Sequence, residues 1–197
     1  MTGPCFVDAN VFVYAQDARD VRKHRRVEEW LDELWRTRLG RTSAQALSEF
    51  YAVATRKLKI APGVAWEEAE RYFGWNPQPV DEALLRRARE IGQRYRLSWW
   101  DAMIVAAAQL QDCVLLLTED LQDGMTLGSV TVRSPFALSV GEPAAQYEVA
   151  PLAASRHRPR GRPKGRGALA GFARRSPLAA TELEISRSRD TGRTGRR

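Results

Sequence analysis

The sequence holds few of the residues on which nucleophilic and zinc enzymes depend. Cys5 and Cys113 are its only cysteines, too few for a disulfide framework or a cysteine-based zinc site. Its only histidines are His24 and His157. That scarcity argues against histidine-based zinc chemistry, a Ser-His-Asp triad and a two-histidine ribonuclease. No apolar run reaches the roughly 18 residues a membrane span requires, and the N-terminal stretch already carries Asp8, Asp17 and Asp20. Neither a signal peptide nor a membrane span is expected, and the default address is a reducing cytoplasm.

What is present is unevenly spread. The 197 residues include 31 Lys and Arg against 24 Asp and Glu, a formal charge of +7. Residues 1–140 carry 18 basic and 19 acidic side chains, whereas 141–197 carry 13 and 5. The excess positive charge therefore belongs to the tail. The body is long enough for one domain that buries about two-thirds of its unfolded surface. The tail, with RHRPRGRPKGRG from Arg156 to Gly167, is too poor in large apolar residues to offset chain entropy. We expect it to be mostly disordered, with at best a nascent helix near Leu178–Ile185.

Within the body, Cys5-Phe6-Val7 and Val114-Leu115-Leu116-Leu117 are short apolar runs, stopped by Asp8 and by Thr118-Glu119-Asp120. Both read as buried strands. Leu39–Ser43, Gln78–Val80 and Val130–Val132 are further strand candidates. Between them, apolar residues recur at three or four positions around Trp30, around Phe50, around Ala88 and from Ala102 to Leu110, and more weakly from Trp66 to Phe73. That is the helical period. Strands alternating with helices imply crossover connections, so the fold class is α/β with a parallel sheet.

In a parallel sheet the carboxyl ends of the strands share one edge. Asp8 and Asp120, each closing a buried strand, should converge there. Asp101 lies in the first turn of the helix after Ser98-Trp99-Trp100, and Glu49 lies early in the helix that begins near Ala44. Four carboxylates on one edge would repel one another, so such a cluster holds a proton or a cation. Oxygen ligands without nearby His or Cys favour Mg²⁺ or Mn²⁺, ions that bridge to phosphate. Singly, each residue also has a plain structural use. Asp8 serves equally as a helix cap, Ser98 and Asp101 match a capping box, Asp120 suits a turn, and Glu49 suits a solvated helix face.

The set also resembles a known family. Phe6-Val7-Asp8-Ala9-Asn10, Ser43 with Glu49-Phe50, Leu97-Ser98-Trp99-Trp100-Asp101-Ala102 and Leu117-Thr118-Glu119-Asp120 resemble the PIN-domain nucleases, and among them the VapC-type toxins of bacterial toxin–antitoxin pairs. The likeness covers about residues 3–137. It implies a three-layer α/β/α fold, a Mg²⁺- or Mn²⁺-dependent endoribonuclease, and an acidic quartet falling on Asp8, Glu49, Asp101 and Asp120. The metal would rest mainly on Asp8, Asp101 and Asp120. Asn10, Ser43, Ser98 and Thr118 would support the acids, with Asp123 at the outer margin of the cleft or simply a loop acid. A small antitoxin, often with a basic side chain entering the pocket, and a toxin homodimer are further implications.

Two basic regions bear on nucleic acid. Arg22, Lys23, Arg25 and Arg26, with His24 among them, open the first long helix, where positive charge opposes the helix dipole. They suit either RNA phosphate or solvent. In the tail, Pro159-Arg160-Gly161-Arg162-Pro163-Lys164 resembles an AT-hook core, so Arg160, Arg162 and Lys164 are candidates for contact with DNA or RNA. The six tryptophans read as packing or interface residues. A haloacid-dehalogenase-like phosphatase fits poorly, since position 10 is Asn and no lysine lies between Lys59 and Lys164. The alternative of a different class is a non-catalytic PIN-like scaffold whose tail binds nucleic acid.

Overall fold

The computed structural model describes residues 3–137. The expectations for residues 141–197, including Arg160, Arg162 and Lys164, lie outside the described residues. The chain runs β1 (Cys5–Val7), α1 (Ala9–Gln16), α2 (Val21–Thr37), β2 (Gly40–Arg41), α3 (Ala44–Arg56), α4 (Pro62–Arg71), a 3₁₀ turn (Tyr72–Trp75), α5 (Glu82–Tyr95), α6 (Trp99–Leu110), β3 (Leu115–Leu117), β4 (Thr126–Leu127) and β5 (Val130–Arg133).

The sheet order is β2-β1-β3-β5-β4. The first four strands in that order are parallel, with Cys5, Phe6 and Val7 opposite Leu115, Leu116 and Leu117, which in turn face Thr131, Val132 and Arg133. β4 is the exception. It pairs antiparallel with β5 across a tight hairpin in which Gly128 takes a φ of 66°, a conformation that glycine adopts without steric cost. At two residues β4 is too short to show a period and so cannot be read from hydrophobic patterning. Gln78–Val80 also differs from expectation, because only Gln78 makes a parallel bridge, to Ser43.

The period of two in the strands assigns the two faces of the sheet. Phe6 and Leu116 point to one side, into a cluster with Leu84, Ala88 and Ile91 of α5, the small-residue stretch of α6, and Leu127, Val130 and Val132. Cys5, Val7, Leu115 and Leu117 point to the other, against Val11 and Phe12 of α1, Val27, Trp30 and Leu34 of α2, and Phe50 and Ala54 of α3. The result is the three-layer α/β/α arrangement. Ala102 to Ala108 are all buried, so the alanines of α6 let it lie close between α5 and the sheet.

Aromatic residues divide. Trp30 and Trp75 are core residues at 1% and 4% exposure, whereas Trp66, Trp99 and Trp100 are about half exposed at 50%, 45% and 51%. Helical spacing alone did not separate them. Leu85, one of the apolar residues of the periodic stretch around Ala88, is exposed. Among the described residues, no helix is long and apolar enough to cross a membrane.

Candidate functional site

Parallel pairing puts the ends of β1, β2, β3 and β5 on one edge, and polar side chains stitch that edge together. The buried Thr118 hydroxyl donates to Asp8 Oδ2 at 2.8 Å. It also accepts from Asn10 Nδ2 at 2.9 Å and from the Asp120 backbone N–H at 3.1 Å. Thr118 is thus a hub joining the acid after β1 to the turn after β3. Asp8 caps α1, accepting from the Ala9 N–H at 2.7 Å, so its role as a cap and its place at the sheet edge coexist. The buried Thr42 hydroxyl donates to the Val7 carbonyl at 3.1 Å, fixing the end of β2 against that of β1.

Each remaining candidate is held by its own element. Ser43 caps α3 by accepting from the Ala46 N–H at 3.1 Å. Six residues on, Glu49 accepts from Gln45 Nε2 at 2.9 Å, an i,i+4 contact on α3. Ser98 caps α6, accepting from the Asp101 N–H at 3.2 Å and donating to Asp101 Oδ2 at 2.7 Å. Asp8 and Asp101 are buried, at 1% and 6% exposure, whereas Asp120 is exposed and Glu49 half-buried. Ala9, Ala46, Ala102 and Leu121, close neighbours in sequence of the acids and of Ser43, share one core cluster. Glu49 and Trp100, the residue before Asp101, line one pocket between α3 and α6.

Asp123 does other work. Its Oδ1 accepts from Arg133 Nε at 3.0 Å and from the Ser134 N–H at 2.8 Å, pinning the loop after β3 to the end of β5. Arg133, 3% exposed, and Gln45 were not anticipated. A glutamine one helical turn before the candidate acid was the available signal for Gln45; nothing local in the sequence marked Arg133.

The basic turn of α2 separates into two kinds of cation. Lys23 Nζ lies 2.9 Å from Glu119 Oε2, above the rings of Tyr14 and Phe136 at 4.5 and 4.6 Å. Arg25 and Arg26 each reach Glu29 at 3.1 Å, and Arg22 and Arg25 are solvent-exposed.

The fit of a divalent ion rests on donor chemistry. Among the described residues, no three His, Cys, Asp or Glu side chains are grouped so as to hold a metal ion. A preformed cage of protein ligands is therefore not what this edge offers. Mg²⁺ demands less, since it keeps several waters and binds through one or two carboxylates. Asn10 Oδ1 is buried beside Asp8 with no hydrogen-bond partner, the kind of oxygen that a hydrated cation satisfies.

A family model for the PIN domain matches residues 5–122. The chain belongs to the PIN-domain family. Three solved structures similar to this PIN domain are toxins or toxin complexes. DNA-bound VapBC from Salmonella typhimurium shares 14% identity at a TM-score of 0.51, covering 68% of this chain and 99% of that one. A toxin–antitoxin complex from Klebsiella pneumoniae shares 17% at a TM-score of 0.47, over 69% and 99% of the two chains. Mycobacterium tuberculosis VapC20, described as a sarcin-ricin loop cleaving toxin, shares 21% at 0.46, over 57% and 86%. The Salmonella likeness supports the fold assigned to this PIN domain. No curated protein matches the chain in sequence.

Proposed function

We propose that the protein is a Mg²⁺- or Mn²⁺-dependent endoribonuclease, the toxin component of a VapBC-like pair in the cytoplasm. The observation that carries this reading is the Thr118 hub, which gathers Asp8, Asn10 and the Asp120 turn at the carboxyl edge of a PIN-family sheet. Asp8, Asp101 and Asp120 would hold the ion. When bound, it supplies Lewis acidity toward phosphate and lowers the pKa of water for in-line attack on phosphorus. Glu49, restrained by Gln45, positions the attacking water. Asn10, Ser43, Ser98 and Thr118 keep the acids in place, and cleavage leaves a 5′-phosphate and a 3′-hydroxyl.

Exposed Arg22 and Arg25, with Arg26, offer positive charge for RNA phosphate near the start of α2. Lys23 would act mainly by steadying Glu119, next to Asp120. The tail residues Arg160, Arg162 and Lys164 would add nonspecific attraction to DNA or RNA. The partners would be RNA, a cognate antitoxin that blocks the acidic edge, and a second copy of the chain in a homodimer.

The test is RNA cleavage in Mg²⁺, in chelator, and by the Asp8→Ala and Asp101→Asn variants. Cleavage by the wild type only, and only with metal, is expected; activity that survives chelation and both substitutions refutes the reading. Among the described residues no three acids are grouped to hold a metal ion, which favours one rival, the non-catalytic scaffold. A Mn²⁺ titration separates the two, because a scaffold without a metal site shows no saturable binding.

A further inference from the structure

The pocket between α3 and α6 has a composition that the cleavage chemistry does not require. Its volume is about 390 Å³. Ala52, Val80 and Met103 make it apolar, the half-exposed indole of Trp100 forms one wall, and Gln45 and Glu49 form the polar rim. Gln45 is 7% exposed. Its Nε2 is committed to Glu49, while its Oε1 is buried without a hydrogen-bond partner. A buried, unsatisfied carbonyl oxygen is costly unless something brings a donor to it. The donor it lacks can come from a group that enters the pocket beside the Trp100 indole.

We propose that this pocket is a base subsite, which takes an amino-bearing nucleobase of the RNA next to the scissile phosphate. The inference rests on the nuclease reading, since the pocket adjoins that site through Glu49 and through Trp100, the neighbour of Asp101. A nucleobase meets the three requirements together. Its π-face stacks on Trp100, its flat body displaces water from Val80 and Met103, and its exocyclic amino group donates to Gln45 Oε1. Adenine, cytosine and guanine carry that group on an accessible edge. Uracil has no amino group, only an N–H flanked by two carbonyls that an acceptor repels, and it stacks weakly. The subsite therefore discriminates by the sign of the hydrogen-bonding edge.

The experiment measures binding of 5′-fluorescein oligo(A), oligo(C) and oligo(U) by anisotropy in Mg²⁺, using the full chain with Asp8→Asn so that the RNA stays intact. Oligo(A) and oligo(C) are expected to bind more tightly than oligo(U). Trp100→Ala should weaken oligo(A) binding by about fivefold to a hundredfold, the range for losing one stacked base. Gln45→Leu should erase the preference over oligo(U). Equal affinity for the three RNAs overturns the proposal. So does a Trp100→Ala variant that binds RNA unchanged but shifts from dimer to monomer in sedimentation, which would assign the pocket to a protein interface. Failure of the wild type to cleave RNA in a parallel assay would strike the nuclease reading alone, because base preference is read from binding.

Discussion

Replacing Thr118 by valine keeps the shape of the side chain and removes the hydroxyl that ties the acidic edge together. Thr118 is 1% exposed, as is Asp8, so water does not readily take the place of the lost group. The bond to Asp8 Oδ2 at 2.8 Å is charge-assisted, and such bonds contribute roughly 1.5–3 kcal/mol. Asn10 Nδ2 would retain only its long 3.5 Å contact with Asp8, a further loss of about 1 kcal/mol. The Asp120 N–H lies in an exposed turn and can turn to water, so it adds little. The expected cost is about 3 kcal/mol, or roughly 10 °C in Tm for a domain of this size. Thr118→Ser keeps the hydroxyl and loses one methyl, about 1 kcal/mol. Thermal unfolding of the wild type and both variants gives the comparison, and Mn²⁺ titration of the same samples follows the site. Loss of a residue that orients a ligand typically lowers metal affinity about 10- to 100-fold, an effect expected for valine and not for serine. If Thr118→Val unfolds no earlier than Thr118→Ser and binds Mn²⁺ equally well, the hub is not what holds the edge together.

Two further outcomes follow from the core. A Cβ at Gly40 would stand 2.7 Å from Trp75 Cδ2 and closer still to Cε2 and Cζ2. Trp75 is wedged among Phe12, Trp35 and Tyr72, so Gly40→Ala should cost about 1–3 kcal/mol by overpacking; a denaturant midpoint equal to the wild type would contradict that packing. The buried thiols also make stability fall at alkaline pH. Burial pushes Cys113 up to about 12 and Cys5 well above its ordinary range. An unfolded thiol ionises near 8.5, so above that pH the folded chain binds more protons. Stability is then full below the unfolded value and declines by about 1.4 kcal/mol per pH unit for each thiol. Urea midpoints from pH 8 to 11 should fall less steeply in Cys113→Ala than in the wild type, and parallel slopes would exclude the linkage.

The parts of this protein that were legible in its sequence are those where one chemical property repeats. Cys5-Phe6-Val7 and Leu115-Leu116-Leu117 announce themselves as central strands because both faces are apolar, and the alanines of α6 announce a helix packed closely on both sides. Their order requires crossovers, which is why the parallel edge could be anticipated. The Thr118 hub could be named as a residue but not as a hub, since the bonds it makes to Asp8 and Asn10 span 110 and 108 positions. β4 was hidden by its length, and Arg133 because it sits in a strand whose local pattern says nothing of Asp123. Trp99 and Trp100 sit at helical spacing yet project from the first turn of α6, although Asp101 and Ala102 in the same turn are buried.

The candidate site combines two kinds of restraint, and that difference bears on how it would work. Asp8 and Asp101 are buried and each is held by a cap contact at the start of a helix, so their positions are set by the fold and cost no reorganisation during a reaction. Asp120 is exposed, and what steadies it lies on either side. The Thr118 hydroxyl holds its backbone N–H, and Lys23, caged by Tyr14 and Phe136, holds the neighbouring Glu119. Lys23, a candidate for RNA phosphate, thus also has an acidic partner within the chain. A cation held at this edge by one or two of these carboxylates would keep its remaining positions for water and for a phosphate.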